Sequence, residues 1–452
     1  MTSKDINNKK TRESSMQRLS VKEKFGYGLG DTASNIVFQV VIGFLTKYYT
    51  DVYGIGAAAV GTLFLVVRIF DAITDPIMGG IADRTETKWG KYRPYLVWFA
   101  LPYGALAVAA FTTPELTEDG KLIYAYLTYA ALMTVYTAIN IPYSALGGVM
   151  TASPTERASV QSWRFALAMV GGAIVTASVM PLVNYFGQGN EQLGFQMAMV
   201  VLSIFAVICF FLCFAFTKER VPPPPPSNAP WVAGIWRDFK QMLRNDQWRI
   251  IAIISLVILI SVVMRGGTTI YYVEYYLERE DLVTLFMTSG MVAGIFGALA
   301  ANVLVAKFCK VQLMKACALG IVISNGILFM VPRDGMELAL VFTILANFVH
   351  MIFTPLMFST VPDTVDYGAK KLGQSSMGMA FSGHLLMIKM GIALGGAGIG
   401  WILAYSGYEP NVSQSESALN GILFLYTIAS VIAGIIIFLL MNNYKLTRDF
   451  KD

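Results

Sequence analysis

The strongest constraint on this chain is a repeating pattern in which runs of about 20 mostly apolar residues alternate with short charged loops. A run of that length crosses the hydrocarbon core as a helix. In lipid only helices and closed barrels satisfy their backbone polar groups internally. Composition agrees. Of 452 residues, 55% are apolar and only 14% charged, against roughly 45–50% and about 25% in an ordinary soluble domain. A soluble chain this poor in charge could not cover its surface. The pattern predicts twelve helices with cores at 29–50, 57–82, 94–112, 122–148, 160–185, 194–216, 249–276, 283–306, 312–331, 337–360, 378–405 and 419–441.

The loops predict an orientation. Arg84, Lys88, Lys91 and Arg93 follow span 2; Lys218, Arg220, Arg237, Lys240, Arg244 and Arg249 fill the middle linker; Lys307, Lys310 and Lys315 follow span 8. Glu115, Glu118 and Asp119 follow span 3, and Glu278, Glu280 and Asp281 follow span 7. The positive-inside rule then places the even-numbered connections and both termini in the cytoplasm. The first twenty residues are polar and basic without an apolar core, so no cleaved signal peptide is expected there. The linker separates six spans from six. The expected organisation is a tail at 1–22, a six-helix bundle at 23–217, a linker at 218–248, a second bundle at 249–443 and a tail at 444–452. Within the linker, Pro222 to Pro226 predict a semi-rigid extended spacer. Trp231, Ile235, Phe239 and Met242 then recur at helical spacing, as in an amphipathic helix lying on the inner face.

Charges inside the apolar runs carry the functional signal, because each is costly in a bilayer and needs a partner, water or a task. Span 2 holds Arg68, Asp71 and Asp75. At about 100° per residue, positions 71 and 75 lie roughly 60° and 20° from 68, so all three share a face. Phe70, Ile73 and Ile77 lie largely off it. Arg68 can neutralise one carboxylate as a structural pair. The other must take up a proton or recruit a cation, which is the physical basis of cation coupling. Other polar residues at depth are Asp31 and Asn35 in span 1, Thr137 and Asn140 in span 4, Arg164 in span 5, Arg265 in span 7, and His384 and Lys389 in span 11. Arg164, Arg265 and Lys389 either balance aspartates or bind substrate hydroxyls or a carboxylate. His384 is either a proton-sensitive ligand or a packing histidine, and His350 reads as structural. Tyr271, Tyr272, Tyr275 and Tyr276 read as an interfacial belt, with a sugar-facing lining as the alternative. The glycines of span 11 read as close-packing positions. The four cysteines have no histidine cluster beside them and read as buried thiols.

The six-plus-six layout, with Gly79-Gly80-Ile81-Ala82-Asp83-Arg84 after span 2, resembles the major facilitator superfamily. Further marks are Tyr27-Gly28-Leu29-Gly30-Asp31, Tyr49-Thr50-Asp51, Arg68 to Pro76, Trp89-Gly90-Lys91-Tyr92-Arg93-Pro94, Asn140-Ile141-Pro142-Tyr143, Arg157 and Asp363-Thr364-Val365-Asp366-Tyr367-Gly368. With these, the chain resembles the glycoside–pentoside–hexuronide:cation symporters nearly end to end. Ile139 to Gly148, Gln161 to Phe165 and Arg265-Gly266-Gly267 look closest to the pentoside or xyloside branch.

The resemblance implies an all-α, twelve-helix protein of the bacterial inner membrane, acting as a monomer. It would move a sugar or glycoside with H⁺, Na⁺ or Li⁺ by alternating access between two six-helix bundles. It implies cation binding at Asp71, Asp75, Thr74, Thr137 and Lys389. Substrate contacts would fall on Asp31, Asn35, Asn140, Tyr143, Arg164, Arg265 and His384, and gating roles on Asp83, Arg84, Arg93, Arg157, Asp363, Asp366 and Tyr367. Two departures stand out. Asn35 and Asn140 replace sugar-binding aspartates, which argues against a melibiose-like galactoside. Thr74 replaces a sodium-ligating asparagine, which favours H⁺ over Na⁺. No cofactor, structural metal or nucleic-acid partner is implied; the partners are a small sugar and lipid. An enzyme is not expected, because no nucleophile–base pair or metal cluster is evident. The rival function is a channel or facilitator for small polar solutes without cation coupling.

Overall fold

The computed structural model describes residues 18–45, 48–221, 231–372, 376–409 and 412–446. The Pro222 to Pro226 spacer and most of both tails lie outside the described residues, as do the side chains of Arg68, Trp231 and Ile235. Among the described residues ten helices are long and apolar enough to cross a membrane; Ala57–Arg84, with its charged residues, and the broken pair Arg93–Trp98 and Ala100–Ala110 are not among the ten. In chain order the spans are α1 (Val21–Leu45), α2 (Ala57–Arg84), α3 (Arg93–Trp98 then Ala100–Ala110), α4 (Glu118–Val149), α5 (Pro154–Gly187) and α6 (Glu191–Phe216). A linker helix, Trp231–Arg244, follows. Then come α7 (Asp246–Tyr276), α8 (Glu280–Lys307), α9 (Lys310–Met330), α10 (Met336–Leu372), α11 (Met377–Ser406) and α12 (Glu416–Asn442).

Polar side chains set where several helices begin. Ser20, Thr117, Ser153, Asn190, Asn245 and Ser415 each accept a backbone N–H from the first turn that follows. Each cap contributes about 1 kcal/mol. Two elements differ from the sequence expectation. Span 3 is broken at Phe99, because Pro102 has no N–H for the Trp98 carbonyl and its ring crowds that oxygen. Span 10, expected to end near 360, runs on through Pro362 to Leu372. Polar contacts hold this extension: Lys310 pairs with Asp363, Asn245 Nδ2 donates to the Thr364 carbonyl at 2.7 Å, and Lys371 Nζ meets Asp246 at 2.9 Å.

The chain divides into two units. One lies within Met1–Lys240 and Ser376–Ser382, the other within Gln241–Ser375 and Gly383–Asp452. The division falls inside the linker helix, and the first turn of α11 belongs with the first unit. In both units large apolar side chains point outward, including Leu101, Leu127, Phe296, Val303 and Met330. Asp31, Asp71, Asp75, Arg164 and Arg265 are buried. That is the burial pattern of a lipid-facing surface.

In the second unit Gly391, Gly395 and Gly398 of span 11 pack closely, while a Cβ on Gly396 or Gly400 would meet nothing within 4 Å. A Cβ on Gly391 would meet the Leu256 carbonyl at 2.7 Å, and one on Gly395 the Ile260 carbonyl at 2.9 Å. Two of the four tyrosines of α7, Tyr272 and Tyr276, are buried, while Tyr271 and Tyr275 are half-buried. Tyr272 is fully buried and stacks on Tyr426 at 4.1 Å and on Tyr276 at 5.2 Å. Tyr271 and Tyr275 meet the edge of Tyr408.

Candidate functional site

In the first unit α2 buries its two carboxylates completely. Asp71 is 0% and Asp75 1% exposed, while Phe70 and Ile77 on the opposite side are 42% and 40% exposed. The helix is therefore amphipathic in the membrane sense, with its polar stripe inward. The stripe receives a donor from α4: Thr137 Oγ1 donates to Asp75 Oδ1 at 3.1 Å. Thr74 lies elsewhere on the helix. Its hydroxyl donates back to the Phe70 and Asp71 carbonyls at 3.2 and 3.3 Å. Pro76 also removes the intrahelical donor for the Ala72 carbonyl, one residue from Asp71. Two buried carboxylates one turn apart and a hydroxyl on one of them are oxygen groups of the kind that take a proton or a small hard cation.

A second polar group joins α1, α4 and α5. Arg164 Nη2 pairs with Asp31 Oδ1 at 3.2 Å, with both side chains buried. The guanidinium lies over the Tyr143 ring at 4.9 Å and the Phe165 ring at 5.4 Å. Tyr27 and Tyr143 stack with centroids 4.6 Å apart and exchange hydrogen bonds: Tyr143 Oη donates to the Tyr27 carbonyl at 2.7 Å, and Tyr27 Oη to the Tyr143 carbonyl at 3.2 Å. Gly30 makes this possible, since a Cβ there would fall 2.4 Å from Tyr143 Cε2. Asn140 accepts from Ser144 Oγ at 3.3 Å, and Asn35 donates to the Asp31 carbonyl at 3.0 Å. The Tyr27-to-Asp31 and Asn140-to-Tyr143 motifs of the sequence are thus one packed cluster around a buried ion pair.

The cytoplasmic-loop residues form a third group. Asp83 is a hub. It accepts from Tyr92 Oη at 2.6 Å, from the backbone N–H groups of Gly378 and Met379 at 2.7 and 3.0 Å, and from Ser376 Oγ. The carboxylate thereby caps the first turn of α11. Burial and the Asp83 charge both push the Tyr92 phenol well above its ordinary pKa, so it stays a donor. Arg84 reaches the linker helix, pairing with Asp238 at 2.7 Å. Arg93 donates to the Phe214 carbonyl at 2.7 Å and lies over its ring. Arg157 is fully buried and donates through Nε to the Thr151 carbonyl at 2.9 Å.

The sequence did not point to Glu219. Its carboxylate accepts the backbone N–H groups of Lys91, Tyr92 and Arg93 at 2.9, 2.8 and 3.0 Å and so caps α3 across 126 residues of chain. Gly90 stands beside it at φ 111°, where a Cβ would strike Glu219 Oε1 at 2.4 Å. Asp238 was missed for the same reason: the partners are far apart in sequence and carry no local motif.

The second unit holds the remaining predicted residues. His384 is completely buried, with Nδ1 3.0 Å from Ser255 Oγ and the ring edge-on to Phe358. That is a helix-packing environment. Lys389 is half-buried on α11. Asp363 pairs with Lys310; Tyr367 donates to Asp246 at 3.2 Å; Asp366 is exposed on the α10 extension. Arg265 Nη2 donates to Asn347 Oδ1 at 2.7 Å.

The family model of MFS/sugar transport proteins matches residues 26–448. The chain belongs to that family. It is 41% identical over 427 residues to the inner membrane symporter YicJ of Escherichia coli (strain K12), covering 94% of this chain and 92% of that one. It is 40% identical over 433 residues to the putative glycoside/cation symporter YagG of the same organism, covering 96% and 93%. Among solved structures, the major facilitator superfamily transporter FucP in its outward conformation superposes with a TM-score of 0.68 at 11% identity, over 94% of this chain and 98% of that one. The fold is the major facilitator fold, and the protein is a multi-pass membrane transporter rather than an enzyme.

Proposed function

We propose that this protein carries a glycoside, pentoside or hexuronide into a bacterial cell together with a cation, by alternating access. The observation that carries the reading is the pair Asp71 and Asp75, fully buried on one face of α2, with Thr137 donating to Asp75. Two carboxylates one turn apart at depth need positive charge to offset them, and a proton or cation taken up there from solution is what would couple uptake to a gradient. The name of YagG, a putative glycoside/cation symporter, fits this chemistry. A proton is favoured over sodium, because Thr74 directs its hydroxyl to its own helix and the donor set is small. The sugar would sit by Asn35, Asn140, Tyr143 and the Asp31–Arg164 pair. Arg164 there presents a planar donor face flanked by aromatic rings. Asp83 would act as a gate, releasing the first turn of α11 as the carrier changes state. The basic even-numbered loops favour cytoplasmic termini, and a monomer suffices for the cycle.

The test is uptake into vesicles reconstituted with the purified protein. Saturable glycoside accumulation that collapses on dissipating the proton gradient supports the reading. Flux that neither saturates nor responds to proton or sodium gradients would show a channel instead.

A further inference from the structure

We propose that the outer face of the linker helix is a docking surface for anionic lipid, with Trp236 seated at the membrane boundary and Arg237 and Lys240 meeting acidic headgroups. The inference rests on the protein being a membrane transporter, not on which solute it carries. The helix Trp231–Arg244 has two distinct sides. Its inner side is fixed to the end of α2. Asp238 pairs with Arg84 at 2.7 Å, and a Cβ on the buried Gly234 would fall 2.6 Å from Arg84 Nη2. Glycine at 234 thus lets the guanidinium lie against the helix backbone.

The outer side turns away from that contact. At about 100° per residue, Trp236 lies roughly 160° from both Gly234 and Asp238, while Lys240 lies only about 40° from Trp236. Trp236 is 58% exposed. Its indole stacks on Phe239 at 5.7 Å, and Lys240 Nζ sits 5.4 Å from the centre of the indole ring. A large exposed aromatic beside basic side chains is what interfacial helices present to a membrane. Asp238 is the one acidic residue of the helix, and it is turned to Arg84, so basic charge is left on the outer side. Arg237 approaches Asp238 only to 3.9 Å, and its Nε and Nη2 make no hydrogen bond. Phosphate oxygens suit these donors, because a guanidinium is a planar fork matched to phosphate.

Depth argues for lipid rather than an acidic protein. Arg84 closes α2 seven residues after Ile77, which is 40% exposed on the apolar surface. At about 1.5 Å per residue the linker helix is therefore docked roughly 10 Å beyond that side chain, where acyl chains give way to headgroups. The loop after α2 carries a second pair of the same kind, with Lys88 Nζ 5.2 Å from the ring centre of the exposed Trp89. The surface is thus continuous with the lipid-facing side of the first unit. An acidic protein would match the charge but would not account for tryptophans at headgroup depth. Each basic side chain near an anionic leaflet strengthens attachment by about fivefold.

The experiment measures tryptophan quenching in the purified full-length protein, in phosphatidylcholine bilayers holding equal mole fractions of brominated phosphatidylglycerol or brominated phosphatidylcholine. The chain has seven tryptophans, so the Trp236 component is taken as the difference from Trp236→Phe. Both lipids should quench that component, with the anionic lipid favoured by about fivefold or more and the preference shrinking in high salt. Arg237→Gln with Lys240→Gln should bring the ratio close to one. Arg237→Lys with Lys240→Arg keeps both charges and should retain most of the preference, and an unchanged melting midpoint shows that each variant is folded. Equal quenching by the two lipids in the wild type, or a preference unchanged in the double Gln variant, would overturn the proposal. So would a Trp236 component that neither lipid quenches, the result expected of a face that binds a protein instead. None of these readouts involves sugar or a coupling cation, so failure here leaves the carrier reading standing, and failure of sugar uptake leaves this inference untouched.

Discussion

Asp31→Asn is expected to be the most damaging single change in the first unit outside the carboxylate pair. The substitution keeps the side-chain shape but leaves Arg164 charged, buried and facing an amide. The native pair is 3.2 Å apart, with side chains 4% and 7% exposed, so water cannot screen the lost interaction. Removing one partner of such a pair costs about 3–5 kcal/mol. At roughly 2–4 °C per kcal/mol for a unit of this size, the melting midpoint in detergent should fall by roughly 6–20 °C. Arg164→Gln should fall by a similar amount, with an added loss of ring contacts to Tyr143 and Phe165. The double variant decides the matter. With both charges gone no uncompensated ion remains, so its loss should be smaller than the sum of the singles by about 1–3 kcal/mol. Thermal melting of the three variants and the wild type, monitored by intrinsic fluorescence, gives the cycle. Additive shifts, or single-variant shifts below about 2 °C, would refute the argument that this pair is a coupled, desolvated unit.

Two further outcomes follow from the same geometry. Thr137→Val removes the hydroxyl that meets Asp75 at 3.1 Å, and should weaken the apparent cation affinity of uptake by roughly 5- to 30-fold, read from the cation dependence of initial rates, with little change in expression. Gly30→Ala would drive a methyl to 2.4 Å from the Tyr143 ring and should destabilise the unit by about 1–3 kcal/mol, seen as a lower melting midpoint that Tyr143→Leu partly restores.

Much of this fold could be read from the residues because lipid enforces a simple code. Among the described residues the cores of the twelve apolar runs fall largely within helices, and the angular placement of Asp71 and Asp75 opposite Phe70 and Ile77 matches their burial. What was not legible depends on long-range contact. The break at Phe99 needed Pro102 to be weighed against a helix four residues earlier. The extension of α10 past Pro362 depends on Lys310, Asn245 and Asp246, which are distant in sequence and gave no local sign of helix. Glu219 looked like one more loop charge, yet it gathers three amides at the start of α3. The sequence also treated Arg164 and Arg265 alike. Only their partners, a carboxylate for one and an asparagine for the other, separate them.

The central claim is that the α2 carboxylates couple cation and sugar. The most direct measurement compares uphill uptake with sugar exchange in vesicles carrying Asp71→Cys or Asp75→Cys. The expected result is that neither variant accumulates glycoside against a gradient, while each still exchanges labelled for unlabelled sugar across the membrane. Accumulation at wild-type levels in both variants would contradict the account.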